Sequence, residues 1–204
     1  MISILLIGFG GHARSVADTI EREGKYHIIG YTDNNKTIDD GGYSYLGTDD
    51  ELENIYQNGT HCAAITIGQI GTDSIRHSLY ERAKKIGFEF PVIIDPSAIV
   101  APNSIIEEGT FVGKNVVVNS NSHIGKMVII NTGALVEHDN NIGEFCHLAV
   151  RSVLGGTVTI GDNCFIGANA TIINNLIIGN ENVIGAGSLV LHSTKNGERN
   201  YGIV

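Results

Sequence analysis

The sequence has few of the residues that mark several common classes of protein. Among its 204 residues there is no tryptophan, and there are only two methionines, three prolines and three cysteines. Lysine and arginine total 13 against 22 acidic residues, which gives a formal charge of −9 at pH 7. Nucleic-acid binding depends on clustered basic side chains, and the long stretch from residue 100 to 190 contains just three. The shortage of positive charge therefore excludes nucleic acid as an expected partner.

Long hydrophobic runs are also missing from the sequence, although 42% of its residues are hydrophobic. A transmembrane helix needs roughly 20 consecutive apolar residues, and no segment approaches that length. The first residues, Met1–Ile7, carry no basic side chain and run directly into a glycine turn, which indicates a buried strand rather than a signal peptide. We therefore expect no membrane insertion.

The sequence is rich in aliphatic residues at a fixed spacing. From Val100 to Val190 every sixth residue is Ile, Leu or Val, sixteen times in sixteen. This period predicts a parallel β-helix, in which three short strands complete a triangular coil and residue i stacks on residue i+18. Small residues usually follow four places after each aliphatic and are expected to point inward with it. Glycine often follows the aliphatic directly, and we attribute these glycines to tight backbone angles at the bends.

The three cysteines indicate neither a metal site nor a disulfide framework. Cys62, Cys146 and Cys164 do not have the spacing of metal ligands. Two of them fall at the small inward position of the repeat, where a buried thiol behaves as a small hydrophobic group. We expect all three to be reduced and structural, without a metal, as is typical of a cytoplasmic protein.

The first 95 residues have a different pattern, in which apolar runs alternate with amphipathic segments. This alternation predicts a small parallel sheet with helices on its faces. The chain is thus expected to form a Rossmann-like α/β domain over residues 1–95, followed by a left-handed parallel β-helix over 96–204. The predicted strands are Ile2–Ile7, Tyr26–Thr32, Cys62–Ile67 and Phe90–Ile94. The predicted helices run from about Ala13 to Glu23, from a capping box at Thr48 and Glu51 to about Tyr56, and from Thr72 to Ile86.

A glycine-rich turn follows the first predicted strand. Gly8-Phe9-Gly10-Gly11-His12-Ala13 matches a loose form of the dinucleotide fingerprint, in which glycines let the backbone approach a phosphate. An enzyme that transfers hydride from NAD, a turn without a ligand, and a pocket for a nucleotide or nucleotide sugar are the three alternatives, and we favour the last. Ligands of such sheets bind at the carboxyl ends of the strands. The residues expected there are Gly10, Gly11, His12, Asp33, Asn34 and Gly68.

One hexad of the repeat is strongly polar. In Val136-Glu137-His138-Asp139-Asn140-Asn141, a carboxylate beside the histidine could fix its tautomer and raise its basicity. Gly156 follows His138 by one coil, so a backbone N–H there could meet a developing oxyanion. His147 is expected half a coil away. The alternative is that His138 is a surface histidine on a polar bend.

These features together resemble the bacterial sugar acetyltransferases of the sialic acid O-acetyltransferase and UDP-4-amino-sugar N-acetyltransferase family. The resemblance covers nearly the whole chain. It departs from the family pattern after Gly68 and at Gly202-Ile203-Val204, where family members have a Gly-(Ile/Val)-Pro-Ala segment. The matching motifs are Gly8–His12, Tyr31–Asn34, Ile67-Gly68 with Arg76, Asn131–Asp139 and Ile142–His147.

The resemblance implies an acetyltransferase that uses acetyl-CoA and needs no metal. His138 matches the catalytic base, Asp139 the residue that orients it, and His147 and Gly156 match contacts of acetyl-CoA. The N-terminal domain would bind the sugar nucleotide, and the β-helix would form a homotrimer with active sites between subunits. We expect N-acetylation of a nucleotide-linked amino sugar. The alternatives are O-acetylation of sialic acid or a related nonulosonic acid, and a trimeric scaffold that binds nucleotide sugar without catalysis.

Overall fold

The computed structural model describes residues 1–37, 40–69 and 75–204. Contacts between residues divide the chain into two compact units. The first contains Met1–Gly68 and the described residues up to Ile93. The second contains Ile94–Val204 together with Gln69. Each unit is described by itself below.

The first unit is built on a parallel sheet of three strands in the order β2-β1-β3. The side chains of Ile4 to Ile7 in the central strand are fully buried. Helix α1 buries one face, including Ala13, Val16 and Ile20. The strands are β1 (Ile2–Ile7), β2 (Tyr26–Thr32) and β3 (Cys62–Ile65), and the helices are α1 (Gly11–Glu23), α2 (Leu52–Gln57, after a 3₁₀ turn at Asp49–Glu51) and α3 (Ile75–Ile86).

The first two strands have the predicted bounds, whereas α1 begins two residues earlier and β3 ends two residues earlier than predicted. The start predicted for the third helix, residues 72–74, lies outside the described residues. Thr48 does cap its helical segment by accepting a hydrogen bond from the Asp50 N–H. The Glu51 carboxylate instead accepts from Asn54 at 3.1 Å. The first turn is 3₁₀, and the two side chains do not form the reciprocal hydrogen bonds of the predicted capping box.

The predicted fourth strand of the α/β sheet, Phe90–Ile94, is wrong. Only Ile93–Ile94 is a strand, here β4, and it belongs to the seven-stranded sheet of the β-helix. Pro91 has no N–H to give to a sheet, which limits strand formation before it. Phe88 and Phe90 are buried as core residues. Between them, Glu89 forms a single parallel bridge with Cys62 of β3, donating its N–H to the His61 carbonyl at 2.8 Å and accepting from the Ala63 N–H at 2.9 Å. The segment thus pairs with the sheet at one residue and does not continue as a strand.

The second unit is a parallel β-helix with three sheets of seven, six and five strands. Most strands pair with the strand 18 residues further on, as the register Val136↔Leu154 and Ile142↔Ile160 illustrates. The spacing shortens near the C-terminus, where Val183 pairs with Arg199. The predicted aliphatic residues are the second residues of β5 to β20. The strands are β4, then β5 (Ile99–Val100), β6 (Ile105–Ile106), β7 (Phe111–Val112), β8 (Val117–Val118), β9 (His123–Ile124), β10 (Ile129–Ile130), β11 (Leu135–Val136), β12 (Asn141–Ile142), β13 (His147–Leu148), β14 (Val153–Leu154), β15 (Thr159–Ile160), β16 (Phe165–Ile166), β17 (Thr171–Ile172), β18 (Ile177–Ile178), β19 (Val183–Ile184), β20 (Leu189–Val190) and β21 (Arg199–Asn200).

The aliphatic column forms the core of the β-helix. From Val112 to Val190 these side chains are at most 1% exposed, and they pack with small inward residues such as Ala134 and Cys146. Each fully buried aliphatic side chain contributes about 1.5–3 kcal/mol relative to an exposed one. The repeat is therefore the main source of stability in this unit, and the predicted fold class is confirmed.

The glycines of the repeat serve a different purpose from the one predicted. Gly143, Gly155, Gly167 and Gly179 have no left-handed backbone, but a β-carbon on each would lie 2.5–2.8 Å from backbone atoms of the next coil. They therefore permit close stacking. The left-handed bends fall three residues before each aliphatic and mostly carry other residues, with φ between 54° and 63°. These are Asn115, Asn121, Met127, Asp139, Phe145, Arg151, Thr157, Asn163, Asn169, Asn175 and Glu181.

Candidate functional site

His138 and Asp139 form a hydrogen-bonded pair at the corner between β11 and β12. The imidazole Nδ1 lies 2.7 Å from Asp139 Oδ2, and both side chains are about half exposed. Successive side chains of an extended strand point to opposite faces. Asp139 has φ of 59°, and this left-handed turn allows the two neighbouring side chains to meet. The backbone bend thus builds the pair that the sequence predicted.

Asn121, one coil before Asp139, holds the other carboxylate oxygen. Its Nδ2 donates to Asp139 Oδ1 at 2.6 Å. Hydrogen bonds from Asn121 and from His138 lower the pKa of Asp139 below its usual value. The carboxylate is therefore ionised at neutral pH and accepts the Nδ1–H of His138. In the neutral imidazole this tautomer places the lone pair on Nε2, as a general base requires.

Gly156 stacks against the His138 imidazole, as the spacing of 18 residues predicted. A β-carbon on Gly156 would lie 2.7 Å from both Cε1 and Nε2 of the ring. The next residue, Thr157, donates its N–H to the His138 carbonyl at 2.9 Å. Within the described parts of the chain, no group accepts a hydrogen bond from the Gly156 N–H.

Two polar residues that sequence reasoning missed hold this corner. Asn140 is 1% exposed, and its Nδ2 donates to the Glu137 carbonyl at 2.5 Å and to the Gly155 carbonyl at 3.0 Å. The Glu137 carboxylate accepts from Asn119 at 3.0 Å and from the His138 N–H at 3.3 Å. An amide at an inward position that most other hexads fill with a small or aliphatic residue is the signal that could have identified Asn140.

His147 lies on another sheet and does not join the His138 pair. It belongs to β13 in the seven-stranded sheet and is 8% exposed. Its Nδ1 lies 2.6 Å from the carbonyl oxygen of Gln69, so Nδ1 carries the proton. Its Nε2 lies 3.5 Å from Asn131 Nδ2. The ring is also packed edge-on against Phe165. The His147 ring is therefore fixed in its orientation.

In the first unit, Asp33 shapes the glycine turn. Its Oδ2 accepts from the Phe9 N–H at 2.8 Å and its Oδ1 from the Asn35 N–H at 3.2 Å. Gly8 has φ of 88°, and a β-carbon there would lie 2.4 Å from Ile67. Gly8 is thus required by the fold, and Asp33 has a structural role in addition to any contact with a ligand.

Gly10 and Gly11 differ from Gly8 because the fold leaves room for a side chain at both. Among the described residues, no heavy atom beyond the chain neighbours lies within 4 Å of the place of either β-carbon. Gly10 has an ordinary φ of −112° and caps α1 without a side chain. Gly68 lies beside His12, with 3.5 Å between its β-carbon position and the His12 Cβ. The start of α1 is therefore open to a ligand.

A small cavity in the first unit is lined by two of the six predicted substrate-binding residues, Asp33 and Asn34. Asp49, which sequence reasoning missed because its segment reads as a helix start, accepts a hydrogen bond from Thr32 Oγ1 at 2.9 Å. Three aliphatic side chains form the apolar part of the wall. The lining residues are Gly8, Asp33, Asn34, Asp49, Ile67, Ile75 and Leu79.

The described residues contain neither a metal-binding cluster nor a membrane-spanning helix. Within residues 1–37, 40–69 and 75–204, no group of three or more His, Cys, Asp or Glu side chains could hold a metal ion. No helix in these residues is long and apolar enough to cross a membrane. The three cysteines are free and buried. Burial raises the pKa of Cys146 well above its usual value, so that its thiol is protonated at neutral pH.

Comparison with family models gives two matches. Residues 3–83 match the PglD N-terminal domain. Residues 141–174 and 157–192 match the bacterial transferase hexapeptide model of six repeats. A curated relative, UDP-N-acetylbacillosamine N-acetyltransferase of Bacillus subtilis (strain 168), is 32% identical over 116 residues. That match covers 55% of this chain and spans about half, 51%, of the relative's length.

Two solved structures match nearly the whole chain. One is a GDP-perosamine N-acetyltransferase from Caulobacter crescentus, with a histidine replaced by alanine, in complex with CoA and GDP-perosamine. It is 32% identical, with a TM-score of 0.93 and coverage of 98% of this chain and 93% of that one. The other is the acetyltransferase domain of PglB from Neisseria gonorrhoeae with acetyl coenzyme A. It is 30% identical, with a TM-score of 0.90 and coverage of 98% and 96%.

Proposed function

Because the chain belongs to the bacterial sugar acetyltransferase family, we propose that it transfers acetyl from acetyl-CoA to the amino group of a nucleotide-linked amino sugar. The observation that carries the proposal is the pair of His138 and Asp139 stacked on Gly156. An amine is favoured over a hydroxyl because the similar proteins that are named for an acceptor are N-acetyltransferases. O-acetylation of a nonulosonic acid is the alternative that an assay must exclude.

His138 would act as the general base. Asp139 accepts the Nδ1–H, so Nε2 takes a proton from the sugar amine as its nitrogen attacks the thioester carbonyl. The tetrahedral intermediate carries a negative oxygen, which the Gly156 N–H would stabilise. Collapse of the intermediate breaks the C–S bond, and the departing thiolate takes the proton from His138. The step involves no metal and no covalent enzyme intermediate.

The first unit would hold the sugar nucleotide. The open start of α1 at Gly10 and Gly11 suits a diphosphate, because helix N-termini favour anions and glycines admit close approach. Neither the backbone φ nor the packing within the protein requires glycine at these two positions. Asp33, Asn34 and Asp49 would contact the nucleoside, and His12 and Gly68 lie next to each other at the same ends of the strands. Residues 1–95 would thus bind the acceptor and 96–204 the acetyl donor.

His147 would contact the acetyl end of acetyl-CoA together with Gly156. Its proton is held on Nδ1 by the Gln69 carbonyl, so Nε2 is an acceptor that lies near the amide of Asn131. A ring that is fixed in this orientation would present Nε2 at a constant position to the bound donor. The assignment of both residues to the donor site is part of the proposal.

We also propose a homotrimer in which each site is shared by two chains. Strand β11 begins at the corner of Asn131 and ends at the corner of His138. The outer face of its sheet is mostly aliphatic, whereas the outer face of the five-stranded sheet includes His123, Asn141 and Thr159. Packing of three copies over the aliphatic face would bring the two corners of neighbouring chains together. The outward residues of this face are Ile99, Val117, Leu135, Val153, Thr171 and Leu189.

The proposal is tested by measuring free CoA thiol with acetyl-CoA and a panel of acceptors. The panel contains UDP- and GDP-linked amino sugars and free nonulosonic acids. Release with an amino sugar, lost in His138→Ala, is the expected result. If CoA is released only with a nonulosonic acid, the acceptor is that acid and not an amino sugar. If the protein binds nucleotide sugar but releases no CoA, it is a scaffold. A cytoplasmic location, expected from the reduced cysteines, stays a prediction.

A further inference from the structure

Asn140 is an amide inside the aliphatic core of the β-helix. It stands four residues after Val136, at the inward position where Ser122, Cys146 and Val158 occupy other coils. It is 1% exposed. A buried amide is costly unless its polar atoms are hydrogen-bonded. The contacts of Asn140 therefore decide which parts of the corner it holds together.

Those contacts connect the corner of His138 to the corner of Gly156. The Asn140 Nδ2 donates to the carbonyl oxygens of Glu137 at 2.5 Å, His138 at 3.4 Å and Gly155 at 3.0 Å. Its Oδ1 accepts from the Val158 N–H at 3.2 Å. One buried side chain thus binds the residues on both sides of the Gly155-Gly156 turn. It also binds the backbone of His138.

The same arrangement occurs once more in a corner without site residues. Asn182 is fully buried at the equivalent inward position. Its Nδ2 donates to the carbonyls of Gly179 at 2.9 Å, Asn180 at 3.3 Å and Lys195 at 2.6 Å. This corner lies between the five- and seven-stranded sheets. Asn182 is therefore a control that shares the burial and the donor pattern of Asn140, although its Oδ1 has no hydrogen-bond partner among the described residues.

We propose that Asn140 is a positioning residue that fixes the separation between the His138 imidazole and the Gly156 backbone. It acts through these groups and does not touch the reacting atoms. The inference rests on the proposed function, in which His138 takes the proton and Gly156 faces the oxyanion. Misplacement of catalytic groups by about 1 Å can cost about a hundredfold in rate. A side chain that holds both groups would thus affect kcat more than substrate binding.

The test compares Asn140→Ser with Asn182→Ser, because serine fits this inward position at Ser122 and Ser152. Both variants should melt at similarly lowered temperatures. Below those temperatures, Asn140→Ser should lower kcat about 10- to 100-fold with little change in the KM for acetyl-CoA. Asn182→Ser should stay close to wild type. Equal kcat in the two folded variants would overturn the proposal. If Asn140→Ser does not fold, Asn140→Thr is used, as threonine occupies this position at Thr110.

A second readout separates this inference from the proposed function. Nuclear Overhauser contacts between the His138 ring and the Gly156 Cα protons report their separation without any turnover. They should weaken in Asn140→Ser and persist in Asn182→Ser. A wild-type protein that releases no CoA would refute the proposed function, yet the contacts would still test the positioning role. Unchanged contacts in Asn140→Ser would refute that role even in an active enzyme.

Discussion

The imidazole of His138 occupies the space that a β-carbon on Gly156 would need, with Cε1 and Nε2 each 2.7 Å from that position. Gly156→Ala should therefore displace the ring from its partner Asp139. We expect kcat to fall about a hundredfold or more. In a His138→Ala background the added methyl meets no ring and should change little. The measurement is kcat and melting temperature for the wild type, the two single variants and the double variant. If the two substitutions have additive effects on kcat, the contact between His138 and Gly156 does not explain the loss.

Replacing the base should affect turnover far more than folding. His138→Ala should lower kcat by roughly a hundred- to ten-thousand-fold, the usual contribution of a positioned general base. Asp139→Asn should cost less, because asparagine tolerates the left-handed backbone and keeps an oxygen for the Nδ1–H. Both side chains are about half exposed, so the melting temperature should stay near wild type.

The comparison is made near neutral pH on the true acceptor, with acetyl-CoA affinity measured in parallel. If a well-folded His138→Ala protein keeps most of its activity, His138 is not the general base. An acceptor amine that is already deprotonated needs less help, so the loss should shrink at high pH.

The lowered pKa of Asp139 predicts the pH range in which its pair with His138 is lost. A carboxyl with a lowered pKa stabilises the folded state above its usual value of 3.8, and this stabilisation disappears as pH falls through the lowered folded value. Asn121→Ala should raise the pKa of Asp139 toward 3.8. Asn163→Ala, also at a left-handed bend, is the control and should leave it unchanged. Carbon-13 NMR titration of the carboxyl measures both, and the same value in the two variants would contradict the assignment.

The nucleotide pocket can be tested with two neighbouring glycines. Gly11→Ala has space for its methyl in the free protein, so it should fold normally but raise the KM for the sugar nucleotide. Gly8→Ala, with its left-handed φ and the contact with Ile67, should destabilise the fold instead. Binding titrations and thermal melts of both variants distinguish ligand contact from strain.

Asp33→Ala tests the same pocket from the other side of the turn. It should raise the KM for the acceptor much more than that for acetyl-CoA, because the two substrates are assigned to different units. Since Asp33 also holds the Phe9 N–H, a modest loss of stability should accompany the change. An equal increase in both KM values would show that the assignment of substrates to the units is wrong.

The shared-site trimer predicts a specific effect of charge on the aliphatic face. Val153→Lys, in the middle of the six-stranded sheet, should reduce the sedimenting mass from three chains to one and abolish activity. Thr159→Lys, outward on the five-stranded sheet, should leave both unchanged. Sedimentation velocity with parallel assays is the measurement. A wild-type monomer with full activity would refute both the trimer and the shared site.

Much of the fold could be predicted because the repeat acts locally. One aliphatic in six, from Val100 to Val190, was enough to place the strands and the i+18 stacking. The fourth α/β strand was not predictable in this way, since its pairing with β3 is limited to a bridge at Glu89 and Pro91 follows two residues later. The close stacking of Gly143 and Gly155 on the next coil depends on distances between coils that no single hexad reveals.

The site was predictable where chemistry is carried by adjacent residues or by the period itself. His138 with Asp139 is visible as a dipeptide, and Gly156 follows from the spacing of 18. Asn121 and Asn140 were missed because their importance lies in hydrogen bonds across coils. Asparagine also serves ordinary left-handed bends elsewhere in this chain, so its presence alone does not indicate a role.

The pairing at intervals of 18 residues through most of the β-helix constrains how the gene can change in length. A single-codon insertion in the β-helix would shift all later side chains out of register, whereas duplication of a complete 18-residue coil would preserve the inward and outward positions. A coil added between Asp139 and Gly155 would still fold, but it would move Gly156 away from His138 by one strand spacing, about 4.8 Å. Insertion of a whole coil should therefore preserve the site only where it separates neither Asn121 from Asp139 nor His138 from Gly156.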